Sequence, residues 1–499
     1  MHGKRSSKLS RSSYLGVTMR DNRRDLAALT AAHQRLIRKD FTLWGAQSEQ
    51  VARERLGWID LPEKSRELLP ALDALAAWSR SLGRNRFVLA GMGGSSLAPA
   101  VIAAAENREL LLLDSTHPND LVSILAPDPA STVFVLSSKS GTTIETLSHM
   151  KAIEERLARA QLSVSEHLIV ITDPGSPLSH WATEHNARVF HGEPTVGGRF
   201  SALSIFGLLP AALLGVDCAT LLDDGADIQK LLRDEQSENL AIALTEEILA
   251  GEPFVNLPAT PLGDWIEQLI AESTGKDGVG IIPVLSEQRE IGEVVQRCLS
   301  LPLGGAFYLW EWSTALLGYA LGVNPFDQPD VASAKEATAS ALAAHAQIGS
   351  DALRSSDSLL AELTSLAASH NGYLALLCFL PMHDANLRTT IHQIRSSLLL
   401  HDFRQLQVTV GFGPRYLHST GQCHKGGPAQ GAYLIITLDG LDGGEDYAIP
   451  GESYGFGELI TAQALGDIKT LRSLGRKVVH AHLTLAEIEK LSRVLRVAS

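Results

Sequence analysis

The chain has 499 residues, of which 45% are apolar and 20% charged. That length exceeds what one hydrophobic core supports, so at least two domains are expected. The net charge of −13 argues against nucleic acid or an anionic membrane as the main partner, and an anionic ligand must find a local positive site against the global field. Four cysteines (Cys218, Cys298, Cys378, Cys423) stand far apart without CxxC spacing, which excludes a disulfide scaffold or zinc knuckle and fits a reducing cytoplasm.

The first twenty residues are rich in Ser, Lys and Arg, with no acidic residue and no apolar core. They read as a disordered leader, with a transit peptide as the alternative, and not as a secretory signal. Residues 25–84 carry helical spacing. Short apolar runs then appear at 87–91, 110–114, 133–137, 167–172 and 188–191, mostly separated by helix-length segments. Continuous apolar strands alternating with helices predict a parallel sheet covered on both faces, a doubly wound domain. The apolar run 203–216 contains Pro210 and is too short to span a bilayer, so it reads as a buried helix. After acidic helix over 218–251, a second strand set follows at 254–257, 278–285, 373–380, 407–412 and 432–438, with helices between. A Gly- and Asp-rich turn over 440–451 precedes a final helix–strand–helix. The expected fold class is α/β, with two doubly wound parallel-sheet domains. Its divisions are a leader and helical segment over 1–85, a first domain with its connecting helix over 86–250, a second over 251–445, and a C-terminal helical extension over 446–499.

Ligands of open α/β sheets bind at the carboxyl ends of strands, so the loops there carry the functional reading. Gly91-Met92-Gly93-Gly94-Ser95-Ser96 follows the first strand. It lacks the third glycine of a dinucleotide fingerprint, and a simple strand–helix turn is the alternative. Ser138-Lys139-Ser140-Gly141-Thr142-Thr143 crowds four hydroxyls and a lysine into six positions at a helix start. One helix cap needs one such residue, so the surplus points to a monophosphate site. Arg199 precedes a buried helix and needs an anion, either an internal carboxylate or charge developing on a substrate. Gln268 and Glu272 are four apart on one face of a helix, with Glu272 at the end where the dipole disfavours its charge. That suits a general base, although an exposed polar face has the same spacing. Gln328 lies in a Pro-flanked turn, and Lys335 follows two turns on; a solvated lysine is the alternative. His418 and His424, in a Gly-rich loop, are acid/base candidates, with solvated histidines or a zinc site with Cys423 as the other readings.

In this order, Gly91 to Ser95, Ser138 to Thr146, Val196 to Phe200, Gln268 to Lys276 and Asp327 to Lys335 resemble glucose-6-phosphate isomerase, a family of two sugar-isomerase (SIS-type) domains. The resemblance extends to a divergent branch in which the isomerase is fused behind a transaldolase. It implies reversible conversion of glucose 6-phosphate to fructose 6-phosphate by ring opening and proton transfer through a cis-enediolate, with no cofactor or metal, in a cytoplasmic homodimer. Ser138, Ser140 and Thr143, helped by Lys139, would hold the phosphate, and Gly94 and Ser95 would touch the sugar. Arg199 would stabilise the enediolate, Glu272 would move the proton, and Gln268, Gln328 and Lys335 would complete the site. The family's ring-opening histidine is absent from the Gly305-Ala306-Phe307 context, so His424 is expected in that role, with His418 in reserve. The rival reading is a sugar-phosphate-sensing protein without catalysis. A nicotinamide dehydrogenase built on Gly91–Ser96 and Asp114 is a second rival.

Overall fold

The structure is a computed structural model that describes residues 23–234, 238–287, 289–369, 372–400, 406–440 and 446–498. The leader expected at the start, and residues 441–445 of the expected turn, lie outside the described residues.

Five strands, β1 (Arg86–Gly91), β2 (Leu111–Leu113), β3 (Thr132–Ser137), β4 (Leu168–Thr172) and β5 (Arg188–His191), form a parallel sheet in the order β2-β1-β3-β4-β5. β3 and β4 are buried along their whole length, as strands covered on both faces must be, and their sequences TVFVLS and LIVIT show no polar alternation. The chain winds one way from β1 to β2 and the other way from β1 to β3. The loops leaving β1 and β3 therefore stand side by side at a switch point.

The second sheet differs from expectation in its membership. β6 (Phe254–Leu257) and β7 (Ile282–Leu285) pair only with each other among the described residues. The larger sheet consists of β8 (Tyr373–Phe379), β9 (Gln407–Phe412), β10 (Gly431–Leu438) and β11 (Lys477–Leu483), all parallel, in the order β11-β10-β8-β9. The C-terminal segment is thus no helical appendage. β11 covers an edge of β10 that would otherwise leave its amide and carbonyl groups unpaired. The sequence hides this because β11, KVVHAHL, carries Lys477, His480 and His482 and lacks a continuous apolar run.

Between β7 and β8 runs the helix Leu303–Leu321, buried almost all round, with Phe307, Tyr308, Trp310 and Trp312 at most 1% exposed. It belongs to the same core as the apolar helix Ile205–Leu213. Trp58, Phe200 and Phe326 stack in sequence beside it, with ring centroids 5.3 Å apart at each step. That aromatic wedge holds the segment after the first sheet against the turn at 324–327. No described helix is long and apolar enough to cross a membrane.

Ala481 is fully buried in β11. Ala481→Asp should cost at least about 3 kcal/mol, because it buries an unpaired charge. Urea denaturation checks this, and a shift within about 0.5 kcal/mol, as for an ordinary surface change, would contradict the strand's place in the sheet.

Candidate active site

The loop after β3 is built for an oxyanion. Gly141 adopts φ +66°, so the chain turns back and sets four hydroxyls at the start of the helix Ile144–Arg159. They pair with one another: Ser138 Oγ lies 3.0 Å from Thr143 Oγ1, and Ser140 Oγ 2.9 Å from Thr142 Oγ1. Thr143 is the N-cap residue, yet its side chain makes no capping bond. Its hydroxyl and the first-turn amides are thus available to an anion at the positive end of the helix dipole.

Lys139 departs from expectation. Its ammonium donates to both oxygens of Asp173, at 2.8 and 2.7 Å, and to the carbonyl of Glu193 at 3.2 Å. Partial burial drives this pairing and lowers the lysine's pKa. Lys139 ties the loop to the end of β4 and does not turn toward the hydroxyls.

Thr142 and Thr143 line a cavity of about 230 Å³ together with Glu145, Lys335, His418 and Gln463. Lys335, on the exposed side of the helix Val331–Ala343, brings a positive charge to its wall. His418 Nε2 lies 2.9 Å from Glu145 Oε1, which also accepts from Gln463 Nε2 at 2.8 Å. Burial opposes a charge on Glu145, but the adjacent imidazole outweighs it and holds the carboxyl below its ordinary pKa.

Behind His418 stands a second group of residues. The His418 carbonyl accepts from Gln268 Nε2 at 2.8 Å, and the same nitrogen donates to Glu272 Oε2 at 3.0 Å. Both residues lie on one face of the helix Pro261–Thr274. Glu272 Oε1 is 3.4 Å from Arg199 Nη1, and the two side chains are only 8% and 6% exposed. Arg199 is fixed by three further acceptors, Ser273 Oγ at 2.8 Å and the carbonyls of Pro325 at 2.6 Å and Asp327 at 2.9 Å. The glycine loop after β1 closes against both groups. A Cβ on Gly94 would meet the Gly198 carbonyl at 2.2 Å, and one on Gly93, at φ +55°, would meet the His418 carbonyl at 2.5 Å. Only glycine allows this approach. Ser95 is buried beside them.

Two expected residues lie elsewhere. Gln328 is exposed, and its side chain hydrogen-bonds to no site residue among the described residues, whereas Arg199, Gln268 and Glu272, also outside the cavity lining, are linked to it through His418. His424 is buried among Tyr373, Tyr416 and Tyr433, its Nδ1 3.2 Å from the Tyr373 hydroxyl. Burial, then Lys425 and Arg476, push its pKa down to about 3. Its ring therefore stays neutral near pH 7 within the core of the second sheet, and His418 is the histidine at the cavity. The sequence did not separate the two, because both follow the same strand in one polar, Gly-rich loop.

Three contributors carried little sequence signal. Glu145 looks like an ordinary first-turn acid. Gln463 lies in the helix Phe456–Ser473, which read as part of an appendage. Lys276 ends the Glu272 helix motif but is 2% exposed, where lysines are rare. It donates to the Asn324 and Asp327 carbonyls and to Asp327 Oδ1 at 2.8 Å.

The fold and site define an α/β protein with a hydroxyl-lined crevice at the switch point of a parallel sheet and a buried acid–base array beside it. The phosphoglucose isomerase family model matches residues 76–250. A glucose-6-phosphate isomerase of Rubrobacter xylanophilus is 30% identical over 295 residues, which cover 52% of this chain and 68% of that protein. A probable glucose-6-phosphate isomerase of Natronomonas pharaonis is 36% identical over 205 residues, 39% of this chain and 48% of that protein. A crystal structure of a glucose-6-phosphate isomerase from Chlamydia trachomatis shares the fold, with a TM-score of 0.50 at 17% identity over 68% of this chain and 90% of that one. The chain belongs to the phosphoglucose isomerase family. It spans about half the length of the first curated relatives it matches, 48% and 55%.

Burial, then the neighbouring Arg199, lower the pKa of Lys276 to about 8, with Asp327 pulling the other way. Its unfolded form binds the proton up to about pH 10.4. Between these values the unfolded state binds more protons, so this residue's contribution to stability rises with pH. NMR titration of ¹³C-labelled lysines should show one midpoint near pH 8 that disappears in Lys276→Met. Midpoints all near 10 would contradict the burial argument.

Proposed function

We propose that this chain interconverts glucose 6-phosphate and fructose 6-phosphate by proton transfer. The observation that carries this reading is the adjacency, through Gln268 and His418, of a hydroxyl-rich anion loop and a buried Arg199–Glu272 pair. Phosphate oxygens replace the hydroxyl–hydroxyl bonds of Ser138, Ser140, Thr142 and Thr143, and Lys335 adds charge at the cavity wall. His418, oriented by Glu145, protonates the ring oxygen and opens the sugar. Glu272 takes the C2 proton and returns it to C1. Arg199, already fixed by backbone carbonyls, stabilises the enediolate without reorganising. Phosphate binding, remote from the reacting carbons, supplies orientation. A sensor would need the loop alone; a buried carboxylate held between an arginine and a glutamine is expensive to keep without chemistry to perform.

The domain division proposed is 86–250 and 251 onward, with the segment after 446 assigned to the second sheet. A cytoplasmic location is consistent with four free, buried cysteines. The homodimer rests on the family resemblance, and light scattering tests it.

Glu272→Gln should lower fructose 6-phosphate formation by at least about 100-fold, the usual loss on removing a general base. A coupled assay with folding checked by circular dichroism measures this, and turnover near wild type would refute the base assignment. His418→Asn and His424→Asn separate the two histidines. The first should depress turnover of cyclic substrate while sparing stability. The second should lower the melting temperature, with turnover per folded molecule preserved. The reverse pattern would restore His424 to the site.

A further inference from the structure

The helix Pro261–Thr274 reaches the candidate site with its carboxyl end. Its amino end borders another cavity, of about 170 Å³, that shares no lining residue with the first. The opposite wall is the helix Ala385–Leu400, which contributes Arg388, His392 and Arg395, spaced four and three apart on one face.

Arg395 is 8% exposed. Its Nε donates to the Val408 carbonyl at 2.9 Å, while its Nη2 is buried and has no partner among the described residues. A buried guanidinium nitrogen without an acceptor costs stability, so such groups are rarely left unmet. Across the cavity, Thr260 caps the helix through the Gly263 amide, and the helix dipole adds positive potential there. Asp264 also borders the cavity, but Arg415 lies 3.5 Å from it. Glu267, Glu287 and Arg289 also lie near Arg395, with burial, then Asp264, pushing the Glu267 carboxyl up to about 8. Arg388 and Arg395 are thus left with no carboxylate in hydrogen-bonded contact among the described residues.

We propose that this cavity binds a phosphate group, as free phosphate or as the head of a phosphomonoester. Arg395 Nη2 and the Arg388 guanidinium donate to its oxygens, facing the amino end of the Pro261–Thr274 helix. Planar guanidinium groups suit this ligand better than a carboxylate-only anion, because two of them can share three or four oxygens.

Calorimetry on the full chain tests the proposal, with orthophosphate and glycerol 3-phosphate as separate probes. Ser138→Ala/Thr143→Val serves as background, removing the first anion loop. One equivalent should still bind there, weakened at least about tenfold by Arg388→Ala and by Arg395→Met, the size of a lost charged hydrogen bond. Absence of that equivalent, or binding unchanged by Arg388→Ala, would overturn the proposal. Arg388 is exposed, so its variant decides the matter should Arg395→Met fail to fold. Two equivalents persisting in the Ser138→Ala/Thr143→Val background would count against the Ser138–Thr143 loop and leave this site standing. Tighter binding of glycerol 3-phosphate would identify a phosphomonoester as the ligand, and tighter binding of orthophosphate would identify the free ion.

Discussion

The Arg199 guanidinium is the interaction on which the rest of the site depends. It joins three distant segments: the turn after the first sheet, the helix Pro261–Thr274 and the turn at 324–327. Burying so much charge is unfavourable unless every donor finds an acceptor. Here a hydroxyl and two backbone carbonyls accept from Nε and Nη2, and the Glu272 carboxylate lies 3.4 Å from Nη1. Lys276 repeats the arrangement on the same turn, donating to the carbonyls of Asn324 and Asp327. The turn's carbonyls therefore hold two cations beside Glu272. The aromatic wedge of Trp58, Phe200 and Phe326 keeps that turn from drifting away.

From this follows a division of labour. The first sheet supplies the anion loop and the glycine loop, because its strand order reverses between β1 and β3. The helix Pro261–Thr274 supplies the carboxylate and its glutamine. The segment after β9 supplies His418. These parts meet only because Gly93 and Gly94 allow backbone to approach backbone closely. Within the cavity, Glu145 and Gln463 restrain a histidine contributed from far along the chain. Orientation of the acid–base group thus comes from the first sheet and the C-terminal helix together.

Much of this was legible in the sequence. The first five strands, the hydroxyl loop, Arg199, Gln268 and Glu272 follow from local patterns, because apolar runs, Ser/Thr crowding and helical spacing are short-range signals. What stayed hidden depends on long-range pairing. β11 reads as polar because His480 and His482 satisfy themselves on Thr437. Lys139 looks like a phosphate ligand until Asp173, on another strand end, is seen to claim it. The choice between His418 and His424 turns on which faces the cavity and which faces three tyrosines: a short helix, Gly421–Gly426, begins between them and carries His424 inward. Six residues of spacing cannot announce that difference.

The central claim is that Glu272 carries a proton between adjacent carbons of a phosphate-anchored sugar. Incubating the protein with glucose 6-phosphate in D₂O and following the C2 proton by NMR tests it most directly. Proton transfer through an enediolate predicts fructose 6-phosphate formation with deuterium entering at the exchanged carbon, and loss of both in Glu272→Gln. Isomerisation that persists in folded Glu272→Gln, or a substrate left unchanged by folded protein, would contradict it.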